Sequence, residues 1–248
     1  MTRTHDHSRP NGPKNGRQKL LRLAVAGLVA GAATAVAVGP AQAAGCTTSA
    51  QYGSCSSGSY TIYNDEWGGG HGSQTLWANS YSNWGVYSTQ PSTSGVKAYP
   101  NASISVGKSL NSLSTVSSSF NDSVPSSGNF ESAYDIWLNS SSYEIMVWTD
   151  TVGNVSPAGS SIGDLTLDGN TWNVYVGSNG SNPVYSFWRT SNETSGTVNI
   201  LDLLKWLENS KGYFSNPTLS TVQYGFEISG TGDVQEDFTM NSYSTSIS

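Results

Sequence analysis

From Tyr60 onward the chain alternates short runs rich in Val, Ile, Tyr, Trp and Thr with clusters of Gly, Ser and Asn. β-branched and aromatic residues suit a pleated, half-buried surface, and the small polar clusters supply the turns between them. The pattern predicts strands at 60–63, 75–78, 85–87, 97–99, 133–138, 143–148, 164–167, 171–176, 184–189, 222–228 and 237–243. That many short strands at such spacing point to an all-β sandwich or jelly roll. One segment departs: over 198–209 the apolar residues Ile200, Leu203, Leu204 and Leu207 recur with helical period, and Lys211-Gly212 supplies a stop. A single short α-helix of about three turns is therefore expected against the β body.

The first 43 residues are set apart from this pattern. Arg3, Arg9, Lys14, Arg17, Lys19 and Arg22 precede an apolar run from Leu23 to Val38, and Ala41-Gln42-Ala43 then offers a small-x-small cleavage site. This is the layout of a secretory signal peptide, and its apolar part is shorter than the ~20 residues of a spanning helix. The expectation is a secreted, extracellular protein with a signal over 1–43, no membrane association once cleaved, and one domain over 44–248 that acts as a monomer.

Export changes the charge balance. Residues 44–248 keep five basic against 16 acidic residues, a net charge of about −11. A polyanion-binding protein needs a basic footprint, so nucleic acid is excluded as a partner and a neutral polymer fits better. Cys46 and Cys55 are the only cysteines, and in an oxidising compartment they are expected to form one disulfide. With His71 the single histidine beyond the signal, neither a zinc site nor a Ser-His-Asp hydrolase has its residues, and no metal or cofactor is expected.

Strand alternation then sorts the acids. In Tyr143-Glu144-Ile145-Met146-Val147-Trp148, the residues Tyr143, Ile145 and Val147 share a core face, while Glu144, Met146 and Trp148 share the other. A four-residue hairpin through 139–142 pairs Trp137 with Glu144 and brings Asp135 to the same face. Near the C-terminus Val222, Tyr224, Phe226 and Ile228 face the core, and Gln223, Gly225 and Glu227 face away; Gly225 is expected to leave space beside Glu227. Two outward acids in aromatic strands of a charge-poor chain suit paired-carboxylate chemistry, with Glu227 a plausible site for a raised pKa. Eight tryptophans could supply sugar platforms; Trp206 on the helix is assigned to the core, and Trp67, beside a glycine-rich loop, to the surface.

The segments 143–148 and 223–228 together resemble the two catalytic strands of glycoside hydrolase family 12. The resemblance extends to Asn64-Asp65-Glu66-Trp67, Ala133-Tyr134-Asp135, 168–172, 184–187 and the helix with Lys211-Gly212-Tyr213, nearly the whole exported chain. It implies a jelly-roll β-sandwich of two stacked antiparallel sheets with one helix, a cleft on the concave face, and retaining endo-hydrolysis of β-1,4-glucan such as cellulose. By the same resemblance Glu144 is the nucleophile, Glu227 the acid/base and Asp135 the support of the nucleophile, and Asn64, Trp67, Met146 and Trp148 bind substrate. The chain departs from the family pattern at Ser229, where an aromatic is usual, and at Asp65 and Glu66. A xyloglucan-specific endoglucanase, a xylanase of related fold and a non-catalytic carbohydrate-binding protein are the competing expectations.

Overall fold

The computed structural model describes residues 45–248; the expected export segment lies outside them. The described residues form fifteen strands and one α-helix: β1 (Cys46–Thr48), β2 (Ser54–Ser57), β3 (Tyr60–Tyr63), β4 (Ser73–Ser80), β5 (Asn83–Thr89), β6 (Asn101–Ser109), β7 (Val116–Ser123), β8 (Asn129–Leu138), β9 (Tyr143–Val152), β10 (Ser160–Leu167), β11 (Asn170–Ser178), β12 (Pro183–Arg189), β13 (Ser195–Asn199), α1 (Ile200–Asn209), β14 (Thr218–Gly230) and β15 (Gln235–Ile247). Six strands make one sheet, in the order β1-β4-β5-β15-β7-β13, and nine make the other, β10-β11-β12-β9-β8-β14-β6-β3-β2. This is the jelly-roll β-sandwich. Pairing is antiparallel except between β9 and β12, where the β10–β11–β12 excursion returns alongside β9 in parallel.

The core forms where alternate side chains of the two sheets meet. Phe130 of β8 packs edge-on against Phe238 of β15 at 4.9 Å, and Phe226 of β14 lies 5.6 Å from Trp84 of β5. Ile136, Ile145, Val147, Val222, Tyr224 and Ile228 are buried with them, on the face that alternation assigns to the core. Burying one such side chain is worth about 1.5–3 kcal/mol, so a one-residue slip in β9 or β14 is strongly disfavoured. That penalty is what fixes Glu144 and Glu227 on the opposite face.

The helix buries Ile200, Leu201, Leu203, Leu204 and Leu207. It ends where Gly212, at φ 67°, turns the chain so that its N–H reaches the Glu208 carbonyl at 3.1 Å. Trp206 departs from the core assignment: it is half-buried, edge-on to Phe187 at 5.9 Å and covered by the Lys211 ammonium at 4.9 Å, whereas Trp84 and Trp172 are the fully buried indoles. The Cys46–Cys55 disulfide joins an edge strand of one sheet to an edge strand of the other. Over 97–99 the expected strand reduces to a single bridge, Ala98 to Ile228, and regular pairing begins at Asn101. Among the described residues no helix is long and apolar enough to cross a membrane.

Candidate active site

The outward face of the nine-stranded sheet carries its own apolar patch. Ala133, Met146, Trp148 and Val184 are buried together, with Trp188, Val155 and Ala158 packed on them. Indoles and a phenol continue across three strands: Trp148 to Trp188 at 6.0 Å, and Trp188 to Tyr175 at 6.0 Å. Around them lie buried polar atoms without a hydrogen-bond partner among the described residues, namely Trp148 Nε1, Ser186 Oγ, Asn101 Oδ1, Gln223 Oε1 and Glu131 Oε2. Buried polar groups in a folded protein are ordinarily satisfied. Their concentration beneath an aromatic surface marks this face as a polar exception within the sheet.

The carboxyls are placed by register. Trp137 of β8 pairs with Glu144, Asp135 with Met146 on one side and Gln223 on the other, and Glu131 with Glu227. The hairpin therefore forms as its four-residue loop predicts. The Trp137 indole donates to Asp135 Oδ2 at 2.9 Å, which fixes that buried carboxyl two residues along its own strand. Glu144 is held from an element that strand alternation does not reach: Asn179, in the β11–β12 turn, donates its amide to Glu144 Oε2 at 2.6 Å. The Asn179 Oδ1 in turn accepts the backbone N–H groups of Ser181 and Asn182, both at 2.8 Å. The turn thus orients the amide, and the amide orients the carboxylate.

Glu144 and Glu227 are not opposite each other. Their β8 partners, Trp137 and Glu131, lie six residues apart, which a flat sheet would spread over ~20 Å. Bulges at Ser132/Ala133 in the β8–β9 pairing and at Ile228/Gly230 in the β8–β14 pairing interrupt the regular ladders at that end of β8. Burial, then the Glu144 charge, push the Glu227 carboxyl up to about 7, with Asp65 adding to the rise and a hydrogen bond from Glu131 opposing it. Tyr99 is held well above the usual phenol value by burial and by Asp135, Glu227 and Asp65, and its hydroxyl donates to the Ala133 carbonyl at 2.9 Å.

The surroundings of Asn64 and Gly225 add detail to the site, and at Gly225 they correct an expectation. Asn64 faces inward: it is fully buried, and its amide donates to the Ala50 carbonyl at 3.0 Å and to Glu66 Oε2 at 3.1 Å, while its Oδ1 accepts from Gln74 at 3.1 Å. Glu66 is buried in the same network, while Asp65 and Trp67 on either side of it are half-buried. Gly225 does not leave open space. A Cβ there would sit 2.0 Å from the Pro100 carbonyl oxygen, so the missing side chain admits the neighbouring backbone, whose Pro100 carbonyl accepts the Phe226 N–H at 3.0 Å.

Glu131 and Asn179 escape the sequence pattern for different reasons. A β8 that starts at 133 leaves Glu131 outside the strand, although period two carries it onto the face of Ala133, Asp135 and Trp137. Asn179 sits in Ser-Asn-Gly-Ser-Asn, which reads as a turn and is one; nothing local announces its second role.

Comparison with known proteins bears on this arrangement. The profile of glycosyl hydrolase family 12 matches residues 54–248. A xyloglucan-specific endo-β-1,4-glucanase A from Emericella nidulans is 34% identical over 216 residues, 80% of this chain and 90% of that protein. The solved xyloglucanase domain of NopAA, a type three effector from Sinorhizobium fredii, in complex with cellobiose, superposes with a TM-score of 0.78 at 38% identity, covering 82% of this chain and 99% of that one. The native family 12 xyloglucanase from Bacillus licheniformis superposes at 0.74 with 27% identity, covering 82% of this chain and all of that one.

Proposed function

Because the chain belongs to glycosyl hydrolase family 12, we propose that its concave face hydrolyses xyloglucan in preference to other β-1,4-glucans, with Glu144 as nucleophile and Glu227 as acid/base. The enzyme is a retaining endo-β-1,4-glucanase of that family. The names of the Emericella, Sinorhizobium and Bacillus relatives support xyloglucan as the polymer. One observation supports the two roles above all: the acid whose pKa is raised to about 7 is raised in part by the other's charge.

The steps follow from that coupling. With Glu144 ionised, its charge helps keep a proton on Glu227, which can then be delivered to the departing glycosidic oxygen. Attack of Glu144 on the anomeric carbon forms a glycosyl ester, and the nucleophile's charge disappears. Glu227 then loses one cause of its raised pKa and becomes the base that takes a proton from the incoming water. Asn179 holds Glu144 Oε2 and so orients the carboxylate for attack. Half-buried Trp188 and Tyr175 offer stacking surfaces for successive rings, with the buried Trp148 and Met146 packed beside Trp188 and Trp67 taken as a further substrate contact. Asp135 supports the nucleophile from the neighbouring strand.

The same proposal takes the chain as exported with cleavage after Ala43, leaving one catalytic domain that works as an extracellular monomer; the Cys46–Cys55 disulfide supports an oxidising compartment. Initial rates on xyloglucan, carboxymethylcellulose, mixed-linkage glucan and xylan test the substrate. Fastest release of reducing ends from xyloglucan is expected, and faster release from carboxymethylcellulose would overturn that choice.

A further inference from the structure

Glu131 has no part in the steps above, yet its placement ties it to them. It stands directly across from Glu227, β8 against β14, on the same face of the sheet. Side chains so paired have Cβ atoms about 5 Å apart. At 2% exposure Glu131 is almost removed from water, and its Oε2 has no partner among the described residues. Two glutamates at that distance, one of them dry, cannot both be comfortably ionised.

We infer that Glu131 is a positioning residue that stays protonated and donates its O–H to the Glu227 carboxylate, steadying Glu227 in the form that must accept a proton from water. This rests on Glu227 being the acid/base. The surroundings favour that direction of donation. Burial and the adjacent Glu227 charge hold Glu131 well above the usual carboxylate range, so it retains its proton when Glu227 has lost its own. The hydrogen bond from Glu131 acts on Glu227 in the opposite sense, lowering it against the rise from burial, Glu144 and Asp65. The other titratable groups around the pair bring no positive charge: Glu144 faces it from β9, Asp65 from the loop after β3, and Tyr99 from the segment before β6. Lys97, on the segment bridged to Ile228, gives its ammonium to the carbonyls of Ser94 at 2.7 Å and Gly95 at 2.9 Å. Asp150 of β9 is paired with Ser132, one residue along from Glu131, and acts on Asp122 instead.

The consequence falls on the second half of the reaction. In the glycosyl-enzyme Glu227 must be anionic, and a neutral carboxylic acid is a donor that stabilises the anion without adding charge. Removing that donor makes Glu227 hold its proton more tightly and act as a weaker supply of the ionised base.

The test compares Glu131→Leu and Glu131→Gln with the wild type. Glu131→Leu removes the donor, and the alkaline limb of kcat/KM is expected to move up by about one pH unit while breakdown of the glycosyl-enzyme slows. Glu131→Gln keeps an N–H donor of the same reach, and its limb is expected within a few tenths of the wild type. A readout free of turnover is a carbon-13 titration of the labelled glutamate carboxyls. It should show a carboxyl that still holds its proton where Glu227 has lost its own and that is missing in Glu131→Gln. The inference is overturned if that signal titrates with ordinary carboxylates, if the Leu variant leaves the limb in place, or if Gln shifts it as far as Leu. Failure of the acid/base assignment is distinguishable, because Glu227→Gln would then keep turnover whatever Glu131 does.

Discussion

The Asn179 amide donates to Glu144 Oε2 at 2.6 Å while its own oxygen is held by the N–H groups of Ser181 and Asn182. A hydrogen bond to a charged group contributes about 1.5–3 kcal/mol. Asn179→Ala is therefore expected to lower kcat/KM by roughly 10–100-fold, mostly through kcat. Asn179→Asp sets a like charge beside Glu144 and should cost more. Steady-state kinetics on a soluble glucan checks both, and an Ala variant within a factor of two of the wild type would show that the turn leaves Glu144 unoriented.

Stability should fall as pH rises toward neutrality. Burial pushes the Asp122 carboxyl up to about 7, with Asp150 adding to the rise and the Tyr224 hydroxyl, at 2.9 Å, opposing it. A carboxyl raised on folding favours the folded state most at low pH, below its unfolded value near 3.8, and that contribution is lost as pH climbs through about 7. The span amounts to ~4 kcal/mol at most. Thermal melts of the wild type should show Tm falling between pH 5 and 8, and Asp122→Asn should flatten the fall.

Gly225 brings two backbones together beside Glu227. With Pro100 O only 2.0 Å from an added Cβ and Asn101 Cα at 2.7 Å, Gly225→Ala forces β14 away from the 98–101 segment. A destabilisation of about 3 kcal/mol is expected by denaturant titration, with activity falling further than stability because Glu227 moves with the strand. An alanine variant of wild-type stability would contradict the close approach.

Much of the site is legible in the residue pattern, and the reason is period two. Alternation in 143–148 and 222–228 places Glu144 and Glu227 outward because the apolar half of each strand has only one face to bury. It fails where serine fills the outward positions. In β6 and β7 the core-facing Ala102 and Val116, Phe120 alternate with Ser and Asn, a composition that also suits turns, so neither strand stands out from its neighbours. Asn64 differs again: its substrate role comes only from the family resemblance, and its network with Glu66 and Gln74 is not marked by any residue pattern. The bulges in the β8–β9 and β8–β14 pairings sit at positions that no residue pattern marks.

The central claim is that Glu144 forms the covalent bond to sugar, and trapping that bond tests it most directly. The wild-type enzyme is incubated with a 2-deoxy-2-fluoro-β-cellobioside carrying a good leaving group, which slows ester breakdown more than its formation, and the digest is mapped by mass spectrometry. One fluorosugar on the peptide carrying Glu144, and none on a Glu144→Gln variant, is the predicted result. A fluorosugar on Glu227 or on any other carboxylate would contradict the assignment.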